Sequence, residues 1–87
     1  EGNGPVVEVV REAIVNAVRH GGASCVRVKV CARGNDWLVT VADDGLGPRI
    51  ETDGGLGLLL VDAASGGRWD LTRDAGGGAL LTARVSR

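Results

Sequence analysis

Glycine decides how this chain can be divided. Most of its 15 glycines fall in clusters at 21–22, 45–47, 54–57, 66–67 and 76–78. No collagen-like or linker period runs through them, so they read as punctuation between short elements. The stretches they leave hold one helix, or one or two strands, each. The 87 residues make a single domain over 1–87, and a domain of this size buries only about 60–65% of its unfolded surface. Apolar residues are 44% of the chain, yet Phe, Tyr and Met are absent. The core must therefore be built from Val, Leu, Ile and Ala.

The spacing predicts a helix over 6–20, "VVEVVREAIVNAVRH". Val6, Val10, Ala13, Ile14 and Ala17 share one face at helical spacing. Pro5 suits the first turn, and Gly21-Gly22 end the helix. Residues 25–33, "CVRVKVCAR", alternate as a half-buried antiparallel strand, with Val26, Val28, Val30 and Ala32 inward. "GND" at 34–36 reads as a hairpin turn, and 37–43, "WLVTVAD", as the return strand. After a glycine-rich loop over 44–56 comes a short apolar helix over 57–64. Two further strands are expected at 68–73 and 79–85, joined through Gly76–Gly78. The order helix, strand, strand, helix, strand, strand gives an α+β fold. It is a two-layer sandwich, a mostly antiparallel sheet with the helices packed on one face.

Composition also excludes some functions. A net charge of −1 argues against nucleic acid as a partner, because phosphate-backbone binding needs a basic face. No apolar run approaches the ~18 residues of a membrane span, and residues 1–5 lack the basic start of a signal peptide. Cys25 and Cys31 fall six positions apart on one expected strand. That places them about 20 Å apart, too far for a disulfide. Two thiols do not make a structural zinc site. Reduced cysteines point to a cytosolic protein.

Three stretches could carry chemistry. On the first helix Glu12, Asn16 and His20 recur every four residues with Arg19 beside them. Such a stripe is ordinarily a solvated face. A mid-helix Asn at the rim of a buried face, however, points to a ligand or a structural hydrogen bond. In "VTVADDGLGP", 39–48, strand parity puts Asp43 with Trp37, Val39 and Val41, and Asp44 on the opposite face. A carboxylate ending a buried face is costly unless donors meet it. Gly45 and Gly47 allow backbone to approach a ligand closely, although a plain Asp-Gly turn would look similar. Asp44 is expected to be a solvated turn residue. In "DGGLGLLLV", 53–61, glycines run into a helix whose N-terminus offers free N–H groups and a positive dipole end, a phosphate site. It is neither a P-loop, lacking Gly-Lys-Ser/Thr, nor a dinucleotide fingerprint, because Leu60 stands where a third glycine belongs.

Taken together and in this order, the three stretches resemble the GHKL ATPases, which include sensor histidine kinases, anti-sigma-factor kinases, gyrase B and MutL. "REAIVNAVRHGGA" (11–23) looks like the Asn box of bacterial sensor kinases. "VADDGLG" (41–47) looks like the first glycine box, and "GGLGLLLV" (54–61) like the second. The resemblance covers essentially the whole chain. It implies a minimal version of the Bergerat ATP-binding fold, with ATP held between the sheet and the two helices.

What the resemblance implies for single residues is as follows. Asn16 is the Mg²⁺ ligand, and Glu12 lies near the metal and helps orient or activate the attacking group. Arg19 and His20 point at phosphates or ribose. Asp43 accepts a hydrogen bond from the adenine amino group, Gly45 belongs to the same box, and Gly47 lets the base come close. Residues 48–56 are the lid, and Gly55, Gly57 and Leu58 meet the phosphates. His20 is not the phosphorylated histidine. One departure stands out. In "GGGALLT", 76–82, Ala79 occupies the place of the Thr that supports the adenine-binding Asp, and Thr82 is not its replacement. The lid is also short. Family members carry a strand and helix ahead of the Asn box, so the chain is expected to be a trimmed or minimal version.

The resemblance then implies the catalytic domain of a two-component sensor histidine kinase, a phosphotransferase. It would pass the γ-phosphoryl group to a histidine on a separate dimerisation domain, with a response regulator downstream. The isolated domain is expected to be monomeric, cytoplasmic, without membrane contact, and inactive as a kinase without its phosphoacceptor. Its parent could be membrane-anchored or soluble. Two alternatives remain: an anti-sigma-factor serine kinase, favoured by "GLGLLLVDAASGGRWDL" (55–71), and a nucleotide-gated binding module without turnover.

Overall fold

A computed structural model of the chain describes residues 4–19, 22–45 and 55–87, with only the main chain for 55–58. The elements are α1 (Gly4–Arg19), β1 (Val26–Arg33), β2 (Asp36–Asp43), α2 (Gly55–Ser65), β3 (Trp69–Arg73) and β4 (Ala79–Ser86). The four strands form one antiparallel sheet in the order β1-β2-β4-β3. Both helices lie on one face of it, and they pack on each other. This is the two-layer α+β sandwich expected from the element order.

The core is aliphatic, as the absence of Phe, Tyr and Met requires. Val39 and Val41 of β2, Leu81, Ala83 and Val85 of β4, Val61 of α2, and Val9 and Ala13 of α1 pack into one cluster. Trp37 and Trp69 close its margins. On α1 the buried line is Val9, Ala13 and Ala17, rotated from the expected face. Its two alanines let the helix lie close to the sheet, while Val6 and Val10 only flank the core and Ile14 remains 36% exposed.

The inward face of β1 is not buried as its alternation predicts. Val28 and Val30 are 44% and 42% exposed, and Ala32 is exposed. The reason is position: β1 is a sheet edge, and α1 lies mainly over β2. Val6, Val10 and Ile14 of α1 face Val28 and Val30 across an apolar groove. Among the described residues no helix is long and apolar enough to cross a membrane. Cys25 and Cys31 are both free.

The connections show how each glycine cluster acts. α1 ends with the Ala17 carbonyl taken by the Ala23 N–H at 2.9 Å, and Gly22 has φ +64°; Gly21 is outside the described residues. α2 closes in a Schellman motif. Gly66 is left-handed (φ +64°) and donates to the Ala63 carbonyl, and Gly67 donates to the Asp62 carbonyl. The start of α2 differs from expectation. It begins at Gly55, not 57, so Gly55 is helical rather than part of the loop.

Two carboxylates tie the connections to the sheet. Asp44 is not merely a solvated turn residue. Its Oδ1 accepts the Ser24 and Cys25 N–H groups at 2.8 and 3.0 Å, fastening the α1–β1 connection to the end of β2. At the other end of β2, Asp36 takes a bidentate pair from Arg68 at 2.8 and 3.0 Å, with Arg84 at 3.9 Å. Arg68 also donates Nε–H to the Ser65 carbonyl at the end of α2. Trp69 Nε1–H donates to Asp62 Oδ1 at 2.8 Å, joining α2 to β3.

The Arg68 hydrogen bonds hold the Asp36 carboxyl below its ordinary value, and the Cys25 and then Ser24 amides do the same for Asp44. Carboxyls depressed by folding lend stability above their unfolded value, near pH 4, and lose it as the pH falls through the folded value. The stability gap between wild type and Asp44→Asn, read by urea unfolding, should therefore be full at pH 7 and close as the pH drops well below 4. In the core, Val39 is fully buried. Val39→Ala should cost about 2 kcal/mol in the same unfolding measurement.

Candidate functional site

Asp43 ends the inner face of β2, after Trp37, Val39 and Val41, and is only 9% exposed. A carboxylate there needs donors, and the main chain supplies them. Oδ1 accepts the Gly45 N–H at 2.8 Å and the Ala79 N–H at 3.3 Å. The β2–β4 ladder closes at Ala42 opposite Leu80, so one step further Ala79 stands opposite Asp43. At that step the strand donor goes to the side chain instead of the ladder.

Gly78 fits against the same residue. A Cβ there would run into the Asp43 carbonyl oxygen and stand 2.6 Å from its carbonyl carbon and 3.0 Å from Oδ1. Gly78 and the Ala79 N–H contact the candidate site, and the sequence does not mark them for it. The one signal for them is the third glycine of "GGG" directly before a strand. Thr82 sits opposite Thr40 and Asp70, on the sheet face away from Asp43. It does not stand in for that hydroxyl.

Glu12 and Asn16, one helical turn apart, are both half-buried on α1, and Arg19 is exposed in its last turn. Their stripe flanks the buried line on the side opposite Val10 and Ile14. Those two face the groove against β1, so the stripe lies on the flank toward α2. His20 and Gly47 are outside the described residues, as is the expected lid up to residue 54. Gly55, Gly57 and Leu58 form the first turn of α2. Their N–H groups are among those that an α-helix leaves without intrahelical partners.

The connections fix which end of the molecule each element occupies. Ser24 and Cys25 hang from Asp44, and Ala23 from Ala17. The C-terminal half of α1, with Asn16 and Arg19, therefore lies at the Asp43 end of the sheet. α2 is anchored by Arg68 to Asp36, the opposite end of β2, about 25 Å away along the strand. The helix runs back about 16 Å, so its glycine-rich N-terminus is directed to the Asp43 end. The β3–β4 turn is there as well, through Gly78 and Ala79. One end of the molecule thus gathers a buried acceptor, a polar helix flank and a helix N-terminus.

This donor set suits a nucleotide with its metal. Among the described residues no three His, Cys, Asp or Glu side chains converge. Mg²⁺ needs no such cage, because one or two protein oxygens with phosphates and waters complete its shell. Glu12 and Asn16 offer two such oxygens on one helix flank. The N-terminus of α2 suits phosphate, and Asp43 suits a donor on a base.

Comparison with known proteins agrees with the fold. Residues 3–87 match the family described as histidine kinase-, DNA gyrase B- and HSP90-like ATPases. The ATP-binding domain of PrrB from Mycobacterium tuberculosis superposes with a TM-score of 0.73 at 30% identity, over 94% of this chain and 66% of that one. The Acinetobacter baumannii histidine kinase AdeS gives 0.66 at 24% identity, over 94% of this chain and 45% of that one, which is a likeness of fold. The chain thus spans slightly less than two thirds of the PrrB chain. No curated protein matches. The chain belongs to the histidine kinase-, DNA gyrase B- and HSP90-like ATPase family.

Proposed function

We propose that residues 1–87 are the Mg-ATP-binding catalytic domain of a sensor histidine kinase. The domain would pass the γ-phosphoryl group to a histidine on a separate dimerisation domain, for relay to a response regulator. The observation that carries this reading is the placement of Asp43. Its buried carboxylate, fixed by main-chain donors, shares one end of the molecule with the Asn16 flank of α1 and the N-terminus of α2. The 30% identity to the PrrB ATP-binding domain supports nucleotide binding, and the likeness of "REAIVNAVRHGGA" to the Asn box of sensor kinases favours that branch over the anti-sigma-factor kinases.

Each residue has one task in this reading. Asp43 accepts from the adenine amino group, with Gly45 and Gly47 leaving room for the ring. Asn16 would hold Mg²⁺ through its side-chain oxygen, and Glu12, one turn away on α1, would help orient the attacking group. Arg19 and His20 face phosphate or ribose. The N–H groups of Gly55, Gly57 and Leu58 meet phosphate oxygens, where the helix dipole favours negative charge. Mg²⁺ would supply charge neutralisation on the phosphates. Catalysis of this type is positioning and electrostatic stabilisation, with no covalent work for the protein. The domain acts in the cytoplasm, where its two free thiols remain reduced.

Titration of wild type, Asn16→Ala and Asp43→Asn with Mg-ATP tests the site. Asp43→Asn replaces an acceptor by an amide that can present a donor to the base amino group, and should weaken binding about tenfold or more. Asn16→Ala should weaken binding in Mg²⁺ and change it little in EDTA. Unchanged affinity in both variants would refute the site. Binding that is lost in the variants, with no phosphotransfer by the parent protein, would leave a nucleotide-gated module.

A further inference from the structure

The two main-chain donors on Asp43 arrive from different parts of the fold. The Gly45 N–H comes from two residues along the same chain and moves with it. The Ala79 N–H comes from the first residue of β4 and ties the carboxylate to the neighbouring strand. Among the described residues both land on Oδ1, which leaves Oδ2 as the oxygen to meet a ligand's donor. The side chain is thus held from two sides.

The β3–β4 turn that delivers the Ala79 N–H is itself fastened. Asp74 N–H donates to the Gly78 carbonyl at 2.7 Å, and Gly77 N–H to the Asp74 carbonyl at 2.9 Å. Arg27 of β1 reaches Asp74 Oδ2 at 3.3 Å. The absence of a side chain at Gly78 allows this turn to close on Asp43, because a Cβ would collide with the Asp43 main chain. Gly78 is not in the left-handed region, so the constraint is space alone.

We propose that Gly78 and Ala79 are positioning residues for base recognition: their main chain fixes the Asp43 carboxylate so that it selects a 6-aminopurine, without help from a side-chain hydroxyl. The proposal rests on the nucleotide reading above. A 6-amino group donates to the free carboxylate oxygen. A 6-oxo group presents an acceptor to it and is repelled. A carboxylate free to turn away loses that discrimination even though the residue is still present.

The experiment measures the affinity ratio of ADP to inosine 5′-diphosphate, by calorimetric titration in Mg²⁺, for wild type, Asp43→Asn, Gly78→Ala, Ala79→Pro and Thr82→Ala. A ratio is chosen because partial unfolding lowers both affinities together and cancels. Ala79→Pro removes the N–H at the first residue of a strand, a place that proline tolerates, and decides the matter if Gly78→Ala fails to fold. Wild type and Thr82→Ala should prefer ADP about tenfold or more. Gly78→Ala and Ala79→Pro should bring the ratio close to that of Asp43→Asn. A wild-type ratio of one would overturn the nucleotide reading and the proposal with it. A ratio lost in Asp43→Asn but kept in Ala79→Pro would overturn the proposal alone.

Discussion

The carboxylate of Asp43 has to be satisfied where β2 runs out of exposed surface, and much of the architecture follows from how that is done. Burial at the end of an aliphatic face is tolerable only with donors in place. Gly45 and Ala79 provide them, and the Ala79 bond requires β4 to start opposite Asp43. That start requires a residue without a side chain at 78. The register of the two central strands, the tightness of the β3–β4 turn and the position of the acceptor are thus one constraint seen from three sides.

The rest of the molecule divides into an anchored end and the Asp43 end, where nucleotide binding is proposed. At the anchored end Arg68 joins the last carbonyl of α2, that of Ser65, to Asp36, and the chain's final residue donates its N–H to the Asn35 carbonyl in the β1–β2 turn. The Schellman motif and the Trp69–Asp62 bond hold α2 there. At the Asp43 end the elements are held through main-chain donors on carboxylates, Asp44 for the α1–β1 connection and Asp43 for β4. With α2 fixed by its C-terminal end, its glycine-rich start is placed by the length of the helix.

Much of this was legible in the sequence. Alternation gave β1 and β2, glycine clusters gave the boundaries, and strand parity gave Asp43 to the inner face. What was not legible depended on neighbours. Val28 and Val30 alternate like buried residues, but periodicity does not say that β1 is an edge or that α1 lies over β2. The burial of Val9 is not marked by spacing, because the helix turns its Val9–Ala13–Ala17 line to the sheet, a matter of how closely two surfaces approach. Asp44 looked spare because its partners, Ser24 and Cys25, stand 20 and 19 residues away. Ala79 looked like a loss because side chains are what a sequence displays, whereas its contribution is an N–H.

The central claim is that recognition is gathered at the Asp43 end of the sheet. Amide NMR of the ¹⁵N-labelled chain, with and without saturating Mg-ADP, tests it most directly. Shifts are expected at Asn16–Arg19, Asp43–Gly45, Gly55–Leu58 and Gly77–Leu80, with Gly34–Asn35 and Gly66–Arg68 unmoved. Shifts centred on those last two segments, or none at Asp43, Gly45 and Ala79 under saturation, would contradict it.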